Sequence, residues 1–120
     1  LNAFRKAVNG SRVLILGVAY KPGVNDARES PAFEIIRLLL QRGASLSYHD
    51  PYVPQLVHQD FSLNSVVLTD AELAAADCVV IVTNHPSYDW EWVTAHTQLI
   101  VDTRNALRGI ASGRAKIVKL

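Results

Sequence analysis

Apolar positions along this chain change period several times. Arg12 to Gly17 (RVLILG) is a short, branched, nearly continuous apolar run ended by glycine, the pattern of a strand buried on both faces. From Ala32 to Arg42 the apolar positions recur at helical spacing, with Glu34, Arg37 and Gln41 on one polar stripe. Ser30 and Pro31 stand where an N-cap and a first-turn proline belong, and Gly43 where a helix closes. Ala44 to His49 alternates as a strand does and stops at Asp50-Pro51, because proline ends both pairing and helix propagation. The second half repeats the alternation. It predicts a short strand at Ser65 to Leu68, a capping box from Thr69 to Glu72 opening a small helix, and a buried strand at Cys78 to Val82. One or two helical turns follow from Trp90 to His96, then an apolar strand at Leu99 to Asp102 and a short edge strand at Lys116 to Val118. Strands alternating with helices predict an α/β fold, a doubly wound, mostly parallel sheet of about five to six strands in a single domain.

Ahead of the first strand, Leu1, Phe4 and Val8 are apolar at helical spacing. Residues 1–9 are expected to be the end of a helix entering from a preceding domain, and residues 10–120 the domain itself. The absence of any methionine, with the chain opening at Leu1, agrees with a piece of something longer.

Composition narrows the classes. The chain has 120 residues, 49% hydrophobic and 19% charged, with a mean hydropathy of +0.12, which excludes a disordered tail or a low-complexity chain. Twelve Lys and Arg against eleven Asp and Glu leave a formal charge of +1, and no basic run exceeds two residues, so a broad attraction for nucleic acid or membrane surfaces is not expected. The longest apolar run, Cys78 to Val82, is far short of the roughly 20 residues a membrane span requires. Cys78 is the single cysteine, so no disulfide closes within the chain and a reducing, cytoplasmic setting is expected. Inside the run DCVVIV it reads as an inert buried hydrophobe. His49, His58 and His96 have no metal-ligand spacing with one another or with Cys78.

Chemistry is expected outside the carboxyl ends of the strands, where chain order reverses. The loop after the first strand, VAYKPGVNDARE, takes Val18 to Glu29 where about 2 to 6 residues are usual, and long loops of this kind tend to be functional. It carries Tyr20, Lys21 and Arg28. Lysine offers a compact point charge and arginine a planar fork, both suited to a phosphate, and Tyr20 offers a face for a base or sugar. The competing reading leaves Lys21 in solvent and pairs Arg28 with Asp26 or Glu29. Arg104, in Asp102-Thr103-Arg104-Asn105, either points into the same crevice or pairs with Asp102 while Asn105 caps a helix. Asp50 ends the second strand where such sheets often place a ribose-binding acid, although an aspartate before Pro51 is more simply a turn residue. His85, in a turn before proline, reads as a hydrogen-bonding or cap residue rather than a general base. The G-x-G-x-x-G spacing of a dinucleotide turn fails after Gly17, and no nucleophile motif occurs, so no catalytic centre is expected in this chain.

The stretch GSRVLILGVAYKPGVNDARESPAFEIIRLLLQRGASLSYHDPYV, followed later by VDTRNAL, resembles the C-terminal, UDP-sugar-binding domain of the UDP-glucose/GDP-mannose dehydrogenase family. The combination of YKP, D-x-R-E-S-P, the H-D-P turn and D-x-R at matching spacing carries the resemblance, which spans nearly the whole chain. It implies a Rossmann-like domain covering the nucleotide of the sugar substrate in an NAD-dependent enzyme, with a UDP-sugar and further copies in a homodimer or higher homo-oligomer as partners. The family oxidises the C6 alcohol to a carboxylate in two hydride transfers through a thiohemiacetal and thioester on a cysteine, and holds NAD mainly in an N-terminal domain. The resemblance implies that Tyr20, Lys21 and Arg104 bind substrate, that Arg28 reaches NAD across the interdomain cleft, and that the fragment has no turnover alone. Thr83-Asn84-His85 and YHDPYVP are more like the members acting on UDP-N-acetyl hexosamines. The alternatives are a GDP-mannose 6-dehydrogenase domain and a non-catalytic nucleotide-binding or assembly module.

Overall fold

A strand at the centre of a covered sheet must send alternate side chains into two apolar layers. The computed structural model, which describes residues 9–19, 30–58, 61–110 and 115–119, has this arrangement at its centre. Its elements are β1 (Arg12–Leu16), α1 (Ala32–Gln41), β2 (Ser45–His49), β3 (Gln55–His58), β4 (Phe61–Asn64), α2 (Asp70–Ala75), β5 (Cys78–Ile81), α3 (Trp90–His96), β6 (Leu99–Asp102) and β7 (Lys116–Lys119). Five strands form one parallel sheet in the order β2-β1-β5-β6-β7. From β1, Leu14 and Leu16 join Leu73 of α2 and Val93 of α3 on one face, while Val13 and Ile15 join Ala32 and Ile36 of α1 on the other. Complete burial of Leu14, Leu16, Leu73, Ile81, Leu99 and Ile100 stabilises the fold by about 1.5–3 kcal/mol each.

Local signals act at or within one residue of where the sequence places them. The Ser30 hydroxyl accepts from the Ala32 amide at 3.1 Å, while the N-cap position of α1 falls on Pro31, one residue later than expected. Thr69 accepts from the Glu72 amide at 3.1 Å and Asp89 from the Trp92 amide at 3.2 Å, opening α2 and α3. The chain reverses between β1 and β5, because the β1 to β2 crossover runs one way along the sheet and the later ones the other. That reversal places a crevice at the carboxyl ends of β1 and β5.

One element differs from the sequence expectation. Ser65 to Leu68 is not a strand of its own; Ser65 makes a single parallel bridge to Tyr48, and the chain beyond it has no regular structure until α2. An antiparallel hairpin of β3 and β4 precedes it instead. The hairpin buries Leu56 against the α1 face and brings Phe61 and His58 to Phe33, with ring centroids 5.2 to 6.0 Å apart. Val66 and Val67 read as a strand because they are apolar, yet Val67 is 79% exposed. Each strand of the hairpin is only four residues long, too short for alternation to separate it from a loop.

Residues 1–8, to which the expected entering helix belongs, lie outside the described residues.

Candidate functional site

The site begins at Gly17, directly after β1. Its φ of +85° is a left-handed conformation, and a Cβ there would lie 2.6 Å from the Cβ and 2.8 Å from the backbone nitrogen of Thr83. Glycine thus lets the β1 and β5 loops touch. The Gly17 amide donates to the carbonyl of His49 at 2.9 Å, and the next two amides, Val18 and Ala19, donate to one oxygen of Asp50 at 2.8 and 3.0 Å. Asp50, 3% exposed, also accepts from the Tyr52 amide at 2.7 Å and from Nε2 of His85 at 2.7 Å. The hydroxyl of Thr83 donates to the Ala19 carbonyl at 2.6 Å.

Asp50 therefore does not serve as a ribose-binding acid. Both of its oxygens are engaged by the protein, and the turn role, through Tyr52, is only part of what it does. His85, fully buried, is likewise a framework residue. The Val18 and Ala19 amides, which a glycine-rich dinucleotide turn would direct at a pyrophosphate, are held on Asp50, so this turn does not fit the pyrophosphate of NAD.

Beside His85, Tyr88 donates its hydroxyl to the His49 carbonyl at 2.9 Å and accepts from Nδ1 of His49 at 3.1 Å. Burial, with the negative charge of Asp50, pushes the Tyr88 phenol above its ordinary range. Asn84 accepts from Nε1 of Trp90 at 3.0 Å. Burial lowers the His49 pKa below 6.5; Asp50 opposes this and His85 adds to it. Its proton is then bound more readily in the unfolded chain, so the stability linked to His49 is intact above about pH 6.5 and is lost as pH falls through the folded-state value. The melting temperature is expected to decline on acidification below about pH 6.5, and His49→Gln to flatten that decline; equal slopes in the two proteins would refute the assignment.

The third loop is built on Asp102, which is fully buried. One oxygen accepts from the amides of Arg104 and Ala106 at 3.0 Å each, the other from Leu107 at 3.0 Å. This corrects the pairing considered for Arg104: Asp102 takes its backbone amide, and the guanidinium turns away to donate Nε to the carbonyl of Val82 at 2.8 Å. Asn105 sits at a φ of 55° and caps no helix. Arg104 is thereby anchored beside the Thr83 loop, exposed, with its two terminal nitrogens making no hydrogen bond among the described residues. Tyr20, Lys21 and Arg28 lie outside the described residues, and only the flanks at Ala19 and Ser30 are seen. The brace formed by Thr83 on Ala19, His85 on Asp50 and Tyr88 on His49 is recorded in no local pattern, although an aspartate closing β2 and a glycine closing β1 are legible signals for it.

A groove of about 280 Å³ lies elsewhere, between α1 and the sheet, lined by side chains such as Val13, Leu39 and Val80. It offers no charged group to an anionic ligand. Cys78, on its wall, is buried with its thiol pushed up to about 11, which leaves it unreactive at neutral pH. Among the described residues no group of three or more His, Cys, Asp or Glu side chains is placed to hold a metal, and no helix is long and apolar enough to cross a membrane.

Residues 14–109 match the sequence model of the UDP-glucose/GDP-mannose dehydrogenase family, UDP binding domain. The chain is 32% identical over 111 residues to the UDP-N-acetyl-D-mannosamine dehydrogenase of Escherichia coli strain K12, an overlap of 90% of this chain and 26% of that protein. It is 29% identical over 109 residues to the UDP-glucose 6-dehydrogenase of Rickettsia bellii, covering 84% of this chain and 25% of that one. Its structure is similar to that of a UDP-D-ManNAc dehydrogenase from Pyrococcus horikoshii, with a TM-score of 0.77 at 25% identity over 99% of this chain and 27% of the other. The chain spans about a quarter of the length of the curated relatives it matches.

Proposed function

This chain belongs to the UDP-glucose/GDP-mannose dehydrogenase family, and we propose that it is the wall of the active site that grips the nucleotide of a UDP-sugar. In this reading residues 10–120 are the nucleotide-sugar-binding domain and residues 1–9 the end of a helix from a preceding domain. The whole enzyme oxidises the C6 alcohol of the sugar to a carboxylate with NAD, and the reactive cysteine belongs to the rest of that enzyme. NAD itself is held by another domain, with Arg28 reaching toward it.

The observation that carries the reading is the anchoring of Arg104. Its Nε is fixed on Val82, at the crevice where chain order reverses, while its terminal nitrogens remain for an anion. Lys21 and Tyr20 follow directly on Ala19, the last residue of the braced turn on the other side of that crevice. Two cations contributed by loops of a nearly neutral protein favour a specific diphosphate over diffuse attraction for polyanions. An N-acetylated hexosamine is the favoured sugar, supported by the names of the Escherichia coli and Pyrococcus horikoshii relatives.

Calorimetric titration of the full-length enzyme that carries this domain with UDP, GDP, UDP-N-acetyl hexosamines, UDP-glucose and NAD tests this. UDP and its sugars are expected to bind, and Arg104→Ala or Lys21→Ala to weaken them by about tenfold or more, the scale of one charge-assisted hydrogen bond. Tighter binding of GDP than of UDP would redirect the assignment to a guanine nucleotide. Wild-type affinity in both variants would overturn the site.

A further inference from the structure

The Ala19 peptide junction is held from two strand ends at once. Its amide donates to Asp50, at the end of β2, and its carbonyl accepts from Thr83, which follows β5. His85, two residues further along the same loop, donates to the oxygen of Asp50 that takes the Val18 and Ala19 amides. Asp50, Thr83 and His85 are all buried. The next residue along the chain is Tyr20, then Lys21.

We propose that Asp50, Thr83 and His85 are positioning residues for the nucleotide site, acting by fixing the backbone of Val18 and Ala19, which directly precede Tyr20 and Lys21 in sequence. This deepens the UDP-binding reading and rests on it. A buried carboxylate is costly unless its oxygens are fully engaged, and Asp50 meets that condition with three backbone amides and one imidazole. A need for sheet stability alone would be met as well by apolar packing. What the carboxylate adds is direction: two consecutive amides converge on one oxygen, and the carbonyl after them is fixed from the opposite loop. The backbone of Val18 and Ala19 is thereby fixed before ligand arrives, so less ordering remains to be done on binding. His85 completes the arrangement by holding the carboxylate that holds Val18 and Ala19.

The test compares His85→Leu, which removes the donor, with His85→Gln, which restores an N–H near the position of Nε2. UDP affinity is measured by calorimetry, and amide hydrogen exchange at Val18, Ala19 and, as a reference in β6, Ile100. His85→Leu is expected to weaken UDP about tenfold and to speed exchange at Val18 and Ala19 by a similar factor with Ile100 unchanged, while His85→Gln stays within about threefold of wild type. Folded His85→Leu with wild-type affinity, or exchange accelerated equally at Ile100, overturns the proposal in favour of a purely structural pair. If His85→Leu does not fold, Thr83→Val carries the same readouts, with a loss of about threefold expected and no change overturning it. If the wild-type full-length enzyme binds no UDP, the functional reading fails, and the exchange pattern alone decides whether the three residues hold the turn.

Discussion

Gly17→Ala is expected to abolish the native fold, or to leave a protein whose melting temperature is lower by tens of degrees. Two costs combine at this position. The left-handed φ of +85° costs an L-residue about 1–2 kcal/mol. The added methyl also meets the backbone of Thr83, including its carbonyl oxygen, and backbone at the end of a central strand has little room to yield. Overpacking of that kind adds about 1–3 kcal/mol or more, against a total stability of about 5–15 kcal/mol for a domain. Gly109 supplies the control, because its φ is +77° and a Cβ there meets nothing within 4 Å. Gly109→Ala should therefore show the conformational cost alone. Thermal denaturation of the two variants separates the terms, and equal losses would remove the argument that the β1 and β5 loops need glycine in order to touch.

The second large effect is expected at Asp50. Asp50→Ala leaves the amides of Val18, Ala19 and Tyr52 and the Nε2 proton of His85 without their acceptor. Each buried donor left unpaired costs about 1–3 kcal/mol, and partial rescue by water brings the expected total to about 3–5 kcal/mol. Asp50→Asn should be less damaging, since one oxygen survives, yet its amide group must then face donors where the carboxylate presented acceptors. Chemical denaturation gives both numbers directly. A loss below about 1 kcal/mol for Asp50→Ala would mean that the carboxylate is not the centre of the brace. The UDP affinity of whichever variant folds should fall alongside the exchange protection of Val18 and Ala19.

Much of the fold was legible because it is local. β1, β5 and β6 are short apolar runs, α1 has helical spacing behind Ser30, and α2 opens on the Thr69 and Glu72 pair. The hairpin of β3 and β4 was not legible, since four-residue strands with few apolar positions acquire their identity from Phe33 and the α1 face they cover. At the candidate site, Arg104 stands out in the sequence by its place after a buried strand. Its partner is not set by sequence; in the structure Asp102 binds backbone, and the side chain reaches the Val82 carbonyl.

Residue pattern alone determined the alternation of strands and helices, the crevice at the reversal of chain order, and the cations in the loops around it. Tertiary structure decided which polar residues stand behind that crevice. Asp50 meets Val18 and Ala19 across 32 and 31 positions, His85 meets Asp50 across 35, and Thr83 meets Ala19 across 64. Partners so far apart are set by the order in which strands lie side by side, and strand order follows from burying both sheet faces at once. No local period records it, which is why an aspartate that reads as a turn residue and a histidine that reads as a cap become the joint support of one loop.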